Sequence, residues 1–310
     1  MSKVQIVGID LGNFNVKTSN KEIFKATYET KIDKGAEFLS KTGGGNSLKT
    51  LEYNSVTYYI DRGDFDTHST KSSKDTLPLF LYALSKVVKK TTKDVKVVLG
   101  LPLHQLDDKD IVIKKFKGTF TFKADGTIRT INVLDVRVFP ECVGANYSIP
   151  DTVPLDYILM DFGGLSTNKV LFQDSEYVMS SAEPIGILNL VDEVADLINQ
   201  DHRTKLNTAK AYNVIMKDSL FIPSLGNISV KKYVDKVFSP YVKSVLDSLE
   251  SLDGLNTPIY VIGGASSLFK PYIMEYLKQN EGRYYITFLD DAIFYNALGF
   301  LEVGKLTWND

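Results

Sequence analysis

The sequence has few residues of the types that form disulfides or zinc sites. It contains one cysteine and three histidines among 310 residues. A single cysteine excludes an intramolecular disulfide, and no motif surrounds Cys142, so we expect a small buried apolar side chain there. His68, His104 and His202 lack the spacing of zinc ligands, which argues against a zinc site. No Ser/His/Asp set is detectable either.

The sequence also lacks a charge excess and long apolar runs. The formal net charge is −2 and the sequence pI is about 6.0, whereas direct nucleic-acid binding usually shows as a basic excess. No segment approaches the roughly 18 apolar residues of a membrane span, and residues 1–4 lack the apolar run of a signal peptide. We expect a soluble cytoplasmic protein that binds neither nucleic acid nor membrane directly, and the length suggests about two domains.

Two segments share one pattern, which is an apolar strand, an aspartate at its end and glycine at the following turn. The first is VGIDLGN at residues 7–13 and the second is LMDFGG at residues 159–164. A further strand is predicted after each turn, at residues 14–18 and 168–172. This repeat predicts an α/β protein with two halves built alike, and a cleft between them with one turn facing the other.

Glycine turns of this kind suit a polyphosphate, because backbone N–H groups come close to an anion when no Cβ intervenes. Carboxylates repel phosphate, so Asp10 and Asp161 are explained if Mg²⁺, still carrying several waters, lies between them and the phosphates. Lys17, at the far end of the second strand, would add a positive charge beside the phosphates. The turns therefore predict a nucleoside triphosphate bound with Mg²⁺.

The segment FPECVGAN at residues 139–146 lies between the halves. Pro140 is expected to end a strand, and the small Gly144 and Ala145 favour close helix packing. Glu141 is expected at the start of a helix near the cleft, where its carboxylate would orient the water that attacks the γ-phosphate. The alternative is a helix N-terminal glutamate that the helix dipole favours.

Two other glycine clusters differ in what they predict. The strand at residues 260–262 is followed by Gly263 and Gly264, which offer a flat surface for a base and ribose. Residues 43–46, GGGN, predict a polar flexible loop, and the Walker A pattern fails there because Leu48 stands where a glycine is required before the lysine.

Apolar periodicity predicts the remaining elements. A longer helical stretch is interrupted at Pro240, where a kink or break is expected. The other predicted strands are at residues 22–27, 56–60, 95–101, 116–123, 128–138 and 177–181, and the predicted helices are at 79–87, 187–198, 230–252, 268–276 and 292–303.

In this order the motifs resemble those of the actin-like ATPase superfamily, shared by actin, the heat-shock chaperone ATPase domain and sugar kinases. The match is best to the compact plasmid-segregation actins, ParM-like and Alp proteins, although Asn15 replaces a common glycine and residues 291–299 diverge. The matching segments are residues 7–17 (first phosphate loop), 139–146 (first connecting helix), 159–168 (second phosphate loop), 260–268 (adenosine motif) and 292–300 (second connection).

The resemblance implies a duplicated, ribonuclease H-like two-domain actin fold with a nucleotide cleft between the halves. Domain I would be residues 1–150 with 292–310 packing back on it, and domain II would be residues 151–291. Asp10 and Asp161 would organise Mg²⁺, and Glu141 would orient the hydrolytic water. The implied nucleotide contacts are Gly12, Asn13, Asn15, Lys17, Gly163, Gly164, Ser166, Thr167, Gly263, Gly264 and Ser267, with Glu193 and Lys210 near the ribose or base.

The function expected from this resemblance is a filament that segregates plasmid DNA. Subunits would bind ATP or GTP, polymerise head to tail and lose lattice stability after hydrolysis, while a DNA-binding adaptor would link the filament to DNA. Loops at residues 40–50 and 62–76 are candidate subunit contacts. The alternatives are a small-molecule, sugar-type kinase, a membrane-associated shape or division actin, and a non-polymerising regulatory ATPase.

Overall fold

The computed structural model describes residues 4–35 and 47–308. The chain divides into two compact units, of which unit 1 comprises Met1–Pro150 and Phe294–Asp310 and unit 2 comprises Asp151–Ile293. The predicted loop at residues 43–46, and residues 40–46 of the first candidate contact loop, lie outside the described residues. In the described part of the chain, no helix has the length and apolar character needed to cross a membrane.

Both units contain strands and helices. The strands are β1 Gln5–Leu11, β2 Asn15–Thr18, β3 Ile23–Lys25, β4 Tyr28–Glu29, β5 Thr50–Tyr53, β6 Val56–Ile60, β7 Asp94–Leu101, β8 Gly118–Ala124, β9 Thr127–Pro140, β10 Tyr157–Phe162, β11 Thr167–Gln173, β12 Glu176–Glu183, β13 Leu220–Ile222, β14 Gly226–Ile228, β15 Ile259–Ile262 and β16 Ile286–Phe288. The helices are α1 Leu77–Val87, α2 Lys109–Phe116, α3 Ile187–His202, α4 Thr208–Lys217, α5 Lys231–Asp247, α6 Ser266–Gln279 and α7 Tyr295–Trp308. Short 3-10 turns cover Leu103–Asp108, Gly144–Ser148 and Ser248–Leu252.

The main sheets of the two units share one arrangement of five strands. The order is β3-β2-β1-β7-β9 in unit 1 and β12-β11-β10-β15-β16 in unit 2. In each, the first three strands are antiparallel neighbours and the last three are parallel neighbours. The strands β1 and β10, which carry the sequence repeat, occupy the same central position. The predicted α/β class with two halves built alike is confirmed.

The middle strands of each sheet are buried. All six residues of β10 are buried, and in β1 Val7 and Ile9 have no exposed surface. A strand with parallel neighbours is covered by helices on both faces, so it needs such a continuous apolar run. In unit 1, β4, β5, β6 and β8 extend the sheet to nine strands.

The last helix, α7, packs on β1, β7 and the turn Gly144–Ser148. Glycines make this contact possible on both sides, because a Cβ at Gly299 would overlap the carbonyl oxygen of Gly144 and a Cβ at Gly8 would overlap that of Ala297. The chain therefore closes unit 1 with a backbone-to-backbone contact that no larger residue fits.

Several element boundaries differ from the sequence predictions. Phe116 ends α2 instead of beginning a strand, and α4 was not predicted. Pro240 lies inside α5, which runs unbroken from Lys231 to Asp247, so the predicted break is wrong. The packing of the apolar face of α5, on which Val237, Phe238 and Tyr241 are buried, outweighs the one hydrogen bond that the proline removes.

We expect Gly299→Ala to lower the stability of the fold by about 1–3 kcal/mol or more, since its Cβ would meet a backbone oxygen that has no rotamer in which to move away. Leu306→Ala is the matched control on the same helix, because Leu306 is 71% exposed. Urea unfolding midpoints of the two variants and the wild type would measure this. Equal midpoints for Gly299→Ala and the wild type would contradict the proposed packing.

Candidate functional site

The first turn of the repeat brings a lysine onto an aspartate. β1 and β2 are antiparallel neighbours, and Asp10 lies directly opposite Lys17 in their register. Residues directly opposite each other share one face of a sheet, and Lys17 Nζ donates to Asp10 Oδ2 at 2.8 Å. Both side chains are buried. The pattern of strand and turn alone therefore explains this ion pair.

Gly12 leaves the backbone of the same turn open. A Cβ at this position would lie 2.5 Å from the carbonyl oxygen of Asn15 and 2.9 Å from Lys17 Nζ. Any side chain would displace the backbone or the lysine head group. Asn13 and Asn15 are both half-buried on this turn. The turn thus has the open, glycine-containing form that suits close approach of an anion.

Glu141 follows the carboxyl end of β9, and its N–H donates to the carbonyl of Leu101 at 2.8 Å. The strands β1, β7 and β9 are parallel neighbours, so the residues that follow their carboxyl ends meet at one edge of the sheet. Gly100 makes room for Glu141, because a Cβ there would lie 2.9 Å from Glu141 Cγ.

The backbone around Glu141 differs from the sequence prediction. In place of the connecting helix predicted at residues 139–146, residues 139–140 end β9, residues 141–143 form a turn and Gly144–Ser148 forms a 3-10 helix. Glu141 therefore does not begin a helix. The next residue, Cys142, is buried with φ +64°, and its N–H donates to Asn296 Oδ1 at 2.9 Å. The side chain of a residue on α7 thus holds the turn that carries Glu141.

Lys71 is a further member of this group that the sequence did not indicate. Its ammonium group contacts Glu141 Oε1 and lies 3.9 Å from Asp10 Oδ1. Its backbone N–H donates to Gln105 Oε1 at 3.1 Å. The contact between Lys71 and Glu141 joins residues 70 positions apart, so no local pattern could have found it. Lys17, Asp10, Lys71 and Glu141 form a buried row of alternating charges.

Burial dominates the electrostatics of Glu141. Loss of solvent raises its pKa, the Lys71 ammonium lowers it and the Asp10 carboxylate raises it again, and the net direction is upward from the ordinary value of 4.5. A carboxylate with a raised pKa is a stronger proton acceptor at neutral pH. Burial also lowers the pKa of Lys74, which lies further along the same loop.

The second turn of the repeat has the same backbone register with different side chains. Asp161 lies directly opposite Asn168 across β10 and β11, where the first turn has a lysine opposite its aspartate. The Gly163 N–H donates to the carbonyl of Ser166 at 2.9 Å and closes the turn. Asp161 and Asn168 are both buried.

Helix α3 begins against this second turn. Its first amides, those of Ile187 and Leu188, donate to the carbonyls of Gly163 and Gly164 at 3.2 Å and 2.9 Å. A Cβ at Gly186, the residue before the helix, would lie 2.5 Å from the Gly164 carbonyl carbon. The helix therefore fixes the position of the two glycines that were predicted to meet phosphate.

Thr167 differs from the other predicted contacts on this turn in the direction of its side chain. It is fully buried, and its hydroxyl lies 2.7 Å from the hydroxyl of Tyr241. Successive residues of a strand point to opposite faces, so Thr167 and Asn168 lie on opposite faces of the sheet. The predicted contact of Thr167 with phosphate stays a prediction. Ser166, on the turn itself, is half-buried.

Gly263 follows β15, the parallel neighbour of β10, with φ +98°. A Cβ there would overlap Asp161 Oδ1 and the carbonyl of Phe162, so only glycine fits this position. Gly264 is half-buried, and Ser267 is exposed in the first turn of α6. The structure thus brings Gly263 against the Asp161 carboxylate.

Glu193 and Lys210 lie on the exposed faces of two neighbouring helices. Glu193 is on α3 and Lys210 is in the first turn of α4, and both are exposed. The two helices pack together, and the Thr208 hydroxyl of α4 donates to the Asp192 carboxylate of α3. Within residues 4–35 and 47–308, no group of three or more His, Cys, Asp and Glu side chains forms a direct metal site.

Comparison with known proteins gives a match to one family model. Residues 8–144 match the family described as actin like proteins N terminal domain. The chain has the fold of the actin-like proteins. The predicted resemblance to the actin-like ATPase superfamily and to its ParM-like and Alp members is confirmed. No curated protein matches the sequence.

Solved structures share the fold of this chain along nearly all of its length. A ParM filament from Clostridium botulinum has a TM-score of 0.80 at 18% identity, covering 98% of this chain and 100% of that chain. The archaeal actin homologue Ta0583, in complex with ADP, has a TM-score of 0.74 at 17% identity, covering 98% of this chain and 100% of that chain. At these identities the likeness establishes the fold.

We expect the stability of the Glu141→Gln variant, relative to that of the wild type, to increase as the pH rises. Because the folded pKa of Glu141 is raised, the folded wild type binds more protons than the unfolded chain between the ordinary and the raised value. Raising the pH through this window therefore destabilises the wild type, while the glutamine variant has nothing to ionise there. Urea unfolding midpoints at several values from about pH 4 to 8 would measure the difference.

The control for this prediction is Glu281→Gln, which changes an exposed glutamate. The stability of Glu141→Gln relative to the wild type could instead stay constant or fall as the pH rises. Either result would show that burial does not dominate the pKa of Glu141.

Proposed function

We propose that this chain is an actin-like protein that binds a nucleoside triphosphate with Mg²⁺, hydrolyses it and polymerises head to tail into filaments that segregate plasmid DNA through a DNA-binding adaptor. The observation that carries the proposal is the duplicated turn. Asp10 and Asp161 end the central strands of two like sheets, each beside a glycine that leaves the backbone open.

In this proposal each unit carries a phosphate loop. In unit 1, the open backbone at Gly12 and the ammonium of Lys17 would meet phosphate oxygens. In unit 2, Gly163, Gly164 and the Ser166 hydroxyl would do the same. Gly263 and its neighbours would lie beside the base and ribose. A helix-supported glycine turn with N–H groups near its surface is a common anion site in proteins.

The residues present fit a hydrated Mg²⁺. Carboxylate oxygens are its preferred protein ligands, and Mg²⁺ keeps several waters when it binds beside phosphates. Gly263 keeps the space beside Asp161 Oδ1 clear of a side chain. Asp10 and Asp161 would hold the ion through water, and Mg²⁺ would neutralise charge on the phosphates during their hydrolysis.

Glu141 is the residue that we propose to act on the attacking water. Its raised pKa suits the acceptance of a proton, and the Lys71 ammonium and the Leu101 carbonyl hold its side chain and backbone. Lys71 belongs to the loop at residues 62–76, one of the candidate subunit contacts. A neighbouring subunit that displaced this loop on binding would also displace the Lys71 ammonium that contacts Glu141.

The fold and the similar proteins support the proposed polymerisation. One of the solved structures with this fold is a ParM filament, and another is a complex with ADP. A head-to-tail contact does not close and so produces a filament. Nucleotide would control it by binding one conformation of the subunit more tightly than another.

We expect light scattering to rise above a critical protein concentration when Mg-ATP or Mg-GTP is added, with phosphate release following assembly. Glu141→Ala should still assemble, with hydrolysis slowed about 10²–10⁴-fold, so its scattering should persist after the wild type has decayed. Glu281→Ala, at an exposed position, is the matched control and should behave as the wild type.

Two outcomes of that experiment would overturn parts of the proposal. Hydrolysis without scattering across salt and protein concentrations would exclude the filament and indicate a regulatory ATPase. Phosphate transfer that sugars or related alcohols stimulate would indicate a small-molecule kinase.

We also expect Lys17→Met to weaken binding of Mg-ADP by about 10- to 100-fold, as for the loss of one charged hydrogen bond. Lys90→Met is the control, because Lys90 is exposed in the same unit. Isothermal titration calorimetry would measure both affinities. Equal affinities for the Lys17 variant and the wild type would remove Lys17 from the phosphate site.

A further inference from the structure

Asn168 holds a position in the second turn that the nucleotide proposal above does not use. It lies directly opposite Asp161 in the register of β10 and β11. Directly opposite residues of an antiparallel pair share a face, so the carboxamide and the carboxylate project from the same side of the sheet. Asn168 is 4% exposed.

The carboxamide oxygen of Asn168 is a buried acceptor without a hydrogen-bond partner in the described part of the chain. Its amide nitrogen is engaged, since Nδ2 donates to Ser166 Oγ at 3.3 Å. Buried polar atoms in proteins are nearly always paired, and an orphaned one needs an explanation. A bound group that donates a hydrogen bond would supply the missing partner.

The repeat identifies the charge of that group. In the first turn the equivalent position is Lys17, whose ammonium donates to Asp10. In the second turn the same position carries the Asn168 carboxamide, on the same face as the Asp161 carboxylate. A carboxylate and an unpaired amide oxygen on one face repel a phosphate and suit a donor, and the water molecules of a hydrated divalent cation are donors of this kind.

We propose that Asn168 Oδ1 accepts a hydrogen bond from a water of the divalent cation that Asp161 holds. This inference rests on the proposed function and adds to it a residue that holds the hydrated metal.

The test is direct binding of Mn²⁺ in the presence of ADP, followed by the electron paramagnetic resonance signal of free Mn²⁺. Asn168→Leu keeps the approximate shape and removes the acceptor, and it should weaken Mn²⁺ binding about tenfold, as for one hydrogen bond. Asn168→Asp adds a second carboxylate beside Asp161 and should tighten Mn²⁺ binding. Asn256→Leu, at an exposed position, is the control and should leave binding unchanged.

The aspartate variant separates this proposal from a structural role. If Asn168 faced an anion or only supported the turn, Asn168→Asp would weaken Mn²⁺ binding or leave it unchanged, and either result overturns the inference. If Asn168→Leu fails to fold, as its circular dichroism without metal would show, the aspartate variant still decides. Wild-type protein that binds no Mn²⁺ with ADP overturns the proposed function itself, whereas wild-type binding with an unaffected Asn168→Leu overturns only the role of Asn168.

Discussion

The register of two antiparallel strand pairs determines the chemistry of both turns. In each pair, a central strand ends in an aspartate and the returning strand places one residue directly opposite it. Because side chains alternate between faces along a strand, that residue must lie beside the carboxylate. Lys17 therefore neutralises Asp10, while Asn168 presents an uncharged amide to Asp161. A shift of one residue in either pair would remove the contact.

A second constraint is the close approach of backbones around Glu141. Gly8, Gly144 and Gly299 have no room for a Cβ, so α7 lies directly on β1 and on the turn after Glu141. Asn296 on this helix binds the amide of Cys142, which has a left-handed conformation. The position of Glu141 thus depends on contacts from β7, from α7 and from the loop that carries Lys71.

The sequence predicted those features that depend on local patterns. The repeat predicts the duplicated α/β halves, and it predicts Lys17 beside the phosphates, whereas the ion pair of Lys17 with Asp10 comes from the strand register. The alternation of β11 implies that Thr167 and Asn168 lie on opposite faces. Lys71 is beyond prediction, because its loop carries no periodic pattern and its partner is remote in the chain. A kink or break is predicted at Pro240, and α5 continues through this residue because tertiary packing outweighs the local rule.

The position of α7 has a consequence for the order in which the protein forms during synthesis. Unit 2 is one continuous stretch of chain, whereas unit 1 needs both Met1–Pro150 and Phe294–Asp310. Domains generally fold as units while the ribosome is still elongating the chain. Unit 2 therefore has all of its residues before unit 1 does, although unit 1 contains the first strand to be made. Until α7 emerges, the apolar face of β1 and β7 that it covers has no partner, and the turn that carries Glu141 lacks the side chain that holds it.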